Sequence, residues 1–318
     1  MLGVFFAVLA TATFSINSVL ARRGLASAAA SAGAFITVLI GVPFFFLAAL
    51  GTGQLFNAGG LGLTAYGYLA LAGIVHFGVG RYLNYRAASA IGATRVGPIQ
   101  SFTIPYAVLV AFITLDETIN IGMAIGIALI LVGPLIMVER MPAKKKAPAG
   151  ASGTLPAPTE AADEQAQFEL RQAEGYLFAF LSVFAYGTSP ILIRAALADV
   201  DNVAVLGGLV AYTAASIALI ATLVIPARRG LISAMKPGTI RLFLGAGFFV
   251  FLAQMFRFIA LSLVPVAVVT PLQRAGAVFT LILSWAINRH LEVINWRVVL
   301  GIGISVVGSI VLIVERVD

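Results

Sequence analysis

Arg81 is followed three residues later by Asn84, and Arg257 is preceded three residues earlier by Gln254. On a helix each guanidinium therefore shares a face with a carboxamide. Arg274 directly follows Gln273, just past Pro271, and Gln100-Ser101 stand in the same relation to Pro98. A guanidinium is always charged and presents a planar fork of donors, the shape that meets a carboxylate or phosphate with two parallel hydrogen bonds. All of these residues lie inside long apolar stretches. If those stretches cross a bilayer, Arg274 is about eight residues into its span, or about 12 Å deep at 1.5 Å per residue, where snorkelling to water is difficult. An arginine at such depth costs at least about 2.5–3.5 kcal/mol on insertion scales.

The acidic residues do not answer that charge in sequence. Asp116, Glu117, Glu139, Asp199, Asp201, Glu292, Glu315 and Asp318 fall at the ends of apolar stretches or at the terminus, and the rest lie in or beside residues 139–174. An anionic solute is then a natural partner for Arg81, Arg257 and Arg274, with Asn84, Gln100 and Gln273 as uncharged contacts. The competing reading gives the arginines to backbone carbonyls at proline breaks, or to an acid at a helix end. The first apolar stretch offers only Thr11, Thr13, Ser15, Asn17 and Ser18, with no carboxylate. Proton-coupled export of cationic drugs, which uses one there in the four-helix multidrug transporters, is disfavoured.

Asn17, His76, Tyr82, Tyr106 and Trp285 are further candidates to line a cavity. Each also has a plainer role: Asn17 as a hydrogen bond between helices, His76 as an interhelical histidine rather than a proton relay, and the aromatics as filling. Arg22-Arg23, Arg86 and Arg95 read as headgroup anchors, and so does Arg194, with Asp199 or Asp201 as partner. There is no metal cluster, phosphate loop or nucleophile–base pair, and with no cysteine there is no disulfide or thiolate metal site. No cofactor is expected.

The elements that hold these residues follow from composition. Of 318 residues, 60% are hydrophobic and only 10% charged, against about 25% charged in soluble domains, and the mean hydropathy is +1.03. Lipid must be the solvent for most of the exterior. The net charge of +7 falls between apolar runs, where it orients a membrane protein, and does not signal nucleic acid. At about 20 residues per span, spans are expected near 2–21, 32–50, 63–88, 94–115 and 119–138, then 175–197, 203–225, 240–263, 266–288 and 293–314. The glycine rows Gly122, Gly126, Gly133 and Gly301, Gly303, Gly308 read as close helix packing.

The second set of spans repeats the first. PIQ at 98–100 matches PLQ at 271–273, Ile119-Asn120 matches Ile294-Asn295, and Val132-Gly133 matches Val307-Gly308. Both halves end on VER, at 138–140 and 314–316, while Gly3 matches Gly175 and Arg22 falls opposite Arg194. Five spans per half, an odd number, place the second half inverted relative to the first, as in many secondary transporters whose solute site lies between repeats. The expected fold is an all-α integral membrane protein of ten transmembrane helices in two inverted five-helix repeats. Repeat 1 covers residues 1–140 and repeat 2 residues 175–318. Residues 141–174, with their KKK run and prolines, form a mobile linker.

The segments from Tyr82 to Glu117 and from Phe256 to Glu292, each followed by a glycine-rich last span, resemble the drug/metabolite transporter superfamily, specifically its EamA type. The resemblance covers nearly the whole chain outside the linker. It implies a central cavity lined chiefly by the third, fourth, eighth and ninth spans, with alternating access. The intramembrane arginines depart from the commoner members.

The leading functional expectation is a secondary transporter of a small organic anion, such as a carboxylate, phosphonate or phosphate ester, in the cytoplasmic (inner) membrane, with lipids around it. An exporter of amino acids or other zwitterionic or neutral metabolites would need only one arginine. A membrane enzyme or lipid-handling protein would need an acidic or histidine–cysteine constellation, which is absent. Arg22, Arg23, Arg95, the KKK run, Arg228, Arg229, Lys236 and Arg289 all fall in odd-numbered loops. The positive-inside rule then places those loops in the cytoplasm and both termini outside.

Overall fold

The computed structural model describes residues 1–25, 30–91, 96, 99–137, 158–224, 237–274, 276, 279 and 296–315. Regular structure among them is entirely helical. The helices are α1 (Leu2–Leu25), α2 (Ala30–Leu39), α3 (Gly41–Gly51), α4 (Leu63–Gly73), α5 (Arg81–Ile91), α6 (Thr103–Thr114), α7 (Ile121–Met137), α8 (Pro158–Leu197), α9 (Ala204–Ala221), α10 (Pro237–Leu263), α11 (Val266–Arg274) and α12 (Trp296–Val314). Start signals are visible locally. Asn120 accepts the Met123 amide at 2.7 Å as a cap of α7, and Pro158 and Pro237 open α8 and α10 where a missing N–H costs nothing.

Among the described residues, five helices are long and apolar enough to cross a membrane: Ala32–Gly51, Leu63–Asn84, Gln172–Leu197, Ala204–Val224 and Pro237–Leu263. Leu2–Asn17, Ile99–Thr114 and Ile121–Gly133 are shorter apolar helices. Large apolar side chains, Leu63, Ile121 and Ile217 among them, stand exposed on the outside, as a lipid-facing surface requires.

Helices at matching places in the two halves cross antiparallel. In α7 and α12, Gly122 lies against Glu315 while Gly126 lies against Gly308 and Leu312. A Cβ on Gly126 would stand 3.0 Å from the Gly308 carbonyl oxygen, and one on Gly308 would stand 2.8 Å from that of Gly126. Of the glycine rows, Gly126 and Gly308 bring backbone against backbone, whereas Gly122 meets the Glu315 side chain and Gly303 faces open space. In α3 and α9 the order is likewise reversed, with Gly41 on Tyr212 and Phe45 on Gly208. α1 packs on α10, and α8 packs on α4 and α5 in the matching arrangement. The main core runs through the middle of these contacts and includes Phe258, Leu261, Val266, Val268 and Val269, all buried.

Two local expectations need correction. Residues 158–174, expected within the linker, are helical and continue into α8; the run TEAADEQAQFELRQAE is rich in good helix formers and needs no core to adopt that backbone. The expected break at Pro271 is absent, since α11 runs through it to Arg274. Hydroxyls of α1 reach the carbonyls beyond it, Thr11 Oγ1 donating to Leu272 at 3.2 Å and Ser15 Oγ to Gly276 at 3.0 Å. The span expected over 63–88 is present as Leu63–Asn84 and contains a π-helical turn, Ile74–Gly80, between α4 and α5. Pro98, Arg95 and Trp285 lie outside the described residues.

Candidate functional site

Arg257 and Gln254 stand one turn apart on α10, both buried. Arg257 Nη1 donates to Gln254 Oε1 at 3.1 Å. That bond turns the amide nitrogen of Gln254 toward His76 Nε2, 3.5 Å away on the π turn. An amide nitrogen only donates, so His76 Nε2 is the acceptor. The His76 ring also packs on Phe77 at 4.6 Å and on Tyr186 of α8 at 4.9 Å. A π turn adds a residue to one helical turn and re-aims the side chains beyond it, here Arg81 at the start of α5.

Arg81 Nη1 donates to Thr37 Oγ1 of α2 at 3.0 Å, and its guanidinium lies 5.4 Å from the centre of the Phe77 ring, a cation–π contact. The other neighbour of Phe77, with ring centres 4.4 Å apart, is the fully buried Tyr212 of α9. The Tyr212 hydroxyl lies in the buried interior. Among the described residues that hydroxyl has no hydrogen-bond partner, and neither has Gln273 Nε2. Two guanidinium groups, one from each half of the chain, thus join one network: Arg81 lies over Phe77, and Arg257 reaches His76, which packs on Phe77, through Gln254.

The carboxamides of the first half form an uncharged cluster. Gln100 Nε2 donates to Asn84 Oδ1 at 3.4 Å and to Ser182 Oγ of α8, while Thr103 Oγ1 donates to Gln100 Oε1 at 3.5 Å. The Tyr106 hydroxyl shares a hydrogen bond of 2.9 Å with Thr188 Oγ1. Asn84 and Arg81, on one face of α5, link this cluster to the arginine pair. The remaining candidates are scattered. Gln273 is half-buried on α11 and Asn17 half-buried on α1, whereas Tyr82 is exposed and its hydroxyl accepts from Arg86 at 3.4 Å. The backbone of Arg274 ends α11, but its side chain lies outside the described residues. Thr37, Tyr186, Ser182, Thr188 and Tyr212 carried no signal in the sequence beyond being polar residues in apolar spans. A groove of about 410 Å³ between α6 and α7, lined by Val108, Phe112, Ile127 and Leu131 among others, is apolar and lies away from the arginines.

The pattern of the EamA-like transporter family matches twice, over residues 1–139 and 173–314. The chain belongs to the EamA-like transporter family. It is therefore an integral membrane transporter whose partner is a small-molecule solute. A solved crystal structure 16% identical in sequence shares the EamA fold, with a TM-score of 0.70 over 99% of this chain and 98% of that one. Among curated proteins none matches.

Charges expected at the edges of the EamA fold turn out to have work inside it. Arg194, expected as a headgroup anchor, donates from Nη1 to the carbonyls of Leu261 at 3.1 Å and Ser262 at 2.9 Å, near the end of α10. Its reach spans 67 and 68 residues of chain, which spacing alone does not reveal. Glu117, set aside as an acid at a span end, is buried and accepts the Val266 amide at 2.8 Å and the Ala267 amide at 3.0 Å at the start of α11. Gln54 does the same for α9, its Oε1 accepting the Val205 amide at 2.8 Å. The recurrence of Glu117 as Glu292 in the repeat was the available clue. Arg86, another expected anchor, pairs with Glu174 at the surface.

Proposed function

We propose that this EamA protein is a secondary transporter of a small organic anion, a carboxylate, phosphonate or phosphate ester, moved across the cytoplasmic (inner) membrane by alternating access. The proposal includes ten spans in two inverted repeats, residues 1–140 and 175–318, joined by residues 141–174. The observation that carries it is the linkage of Arg81 and Arg257, one from each half, through Phe77, His76 and Gln254. Arg81 donates to Thr37 and Arg257 to Gln254, in both cases to a neutral oxygen. The proposal takes Gln273 and Arg274, both carried by α11, as further solute contacts. The uncharged Asn84–Gln100–Ser182 cluster favours a solute with a neutral polar end beside its anionic one, and it supports the zwitterion reading as the second choice.

A ligand-stabilisation screen of the purified protein tests this. A ligand present at 100 times its dissociation constant stabilises the state it binds by about 2.7 kcal/mol. Small carboxylates or phosphate esters should raise the melting temperature and organic cations should not. Stabilisation by neutral amino acids alone would put the zwitterion reading first. In the same assay Arg274→Ala should weaken the anion effect substantially, and Arg274→Lys should not fully restore it, because an ammonium cannot reproduce the planar fork. Unchanged apparent affinity in Arg274→Ala would remove this residue from the site.

Orientation has its own check. With residues 141–174 in the cytoplasm, a cysteine replacing Ser152 should resist a membrane-impermeant maleimide in intact cells and react after lysis. Rapid labelling of intact cells would reverse the orientation.

A further inference from the structure

The turn between α10 and α11 is gripped from two sides. Arg194 holds the carbonyls at the end of α10 and Glu117 holds the amides at the start of α11. The signs suit the helix ends, a cation at a C-terminus and an anion at an N-terminus. Between them Val264 packs on Gly3 so tightly that a Cβ there would stand 2.7 Å from Val264 Cγ1. Glu117 belongs to the first half of the chain and Arg194 to the second, so one short turn is tied to both. The helix it leads into, α11, carries Gln273 and Arg274.

The geometry points to a releasable clamp: Glu117 and Arg194 hold the α10–α11 turn and so close one face of the transporter, and that face opens only when they let go. Under alternating access, a cavity bordered by α10 and α11 must open to each side in turn. The ends of these helices cannot swing outward while their shared turn is bonded to both halves. The sequence repeat places Glu292 at the position of Glu117 and Arg22 at that of Arg194. The inference rests on alternating access and not on the chemistry of the solute.

The chain has no cysteine, which makes single-cysteine reporters clean. Thr270→Cys places a buried reporter one turn inside α11, behind the clamp. Asn84→Cys places one on α5 toward the opposite face, since α4 begins beside the Gln54–Val205 contact at the clamped face. Labelling of the solute-free protein by a methanethiosulfonate ammonium reagent reads both. In Glu117→Gln or Arg194→Gln, the rate at Thr270→Cys should rise about ten-fold, as expected for losing hydrogen bonds to a charged group, and the rate at Asn84→Cys should fall about two-fold as the population moves. Arg194→Lys keeps a cation at the carbonyls and should fall between, which preserves the test if a glutamine variant folds poorly. A rise at Thr270→Cys with no fall at Asn84→Cys would mean local fraying of a static helix cap and would overturn the clamp. So would no change at either site. No solute is used, so an error in the solute class leaves this result untouched.

Discussion

Gly73→Val is expected to cost about 3 kcal/mol or more of stability, at the upper end of what overpacking does. At the end of α4, a Cβ on Gly73 would lie 2.0 Å from the carbonyl oxygen of Ala211, 2.6 Å from its carbon and 2.8 Å from its Cα. All three are backbone atoms of α9, so no rotamer change can relieve the contact and the two helices must part. Parting them also opens the stack of Phe77 on Tyr212. Thermal melting of the purified protein, with Gly67→Ala as control, measures this. Gly67 on the same helix has no atom within 4 Å of such a Cβ, and alanine there should be neutral or stabilising by about 0.5–1 kcal/mol. Equal melting temperatures for Gly73→Val and wild type would show that α4 and α9 do not cross as closely as described.

Arg257→Met should separate binding from folding. Arg257 is 3% exposed, and exchanging a buried charge for an apolar side chain of similar length is often neutral or stabilising. Against that stands the stranded Gln254 Oε1, worth about 1–3 kcal/mol. The melting temperature without ligand should therefore stay near that of wild type. Stabilisation by anions should be lost, since truncating one side of a buried charge pair typically costs about 2–5 kcal/mol of affinity, or about 30-fold and upward. Arg257→Lys should recover part of it. Undiminished anion stabilisation in a folded Arg257→Met protein would reduce this arginine to a structural role and favour the neutral-solute reading.

The membrane class, the two halves and the family could be read from residues alone, because each rests on local or averaged properties. Hydropathy averages over about twenty residues, repeats compare short strings, and the pairing of Arg81 with Asn84 or Arg257 with Gln254 needs only the pitch of a helix. The helix over residues 158–174 was equally local, and it was missed because a segment that cannot bury a core was assumed to be a loop. Only the tertiary structure could show the rest. The buried place of Tyr212 against Phe77 depends on α9 crossing α4 at Gly73 and α3 at Gly41. Glu117 reaches Val266 across 149 residues, and Arg194 meets the end of α10 only because α8 and α10 come together there. A hydrogen bond is made where helix axes bring its partners within about 3 Å, and those axes are set by packing across the whole fold.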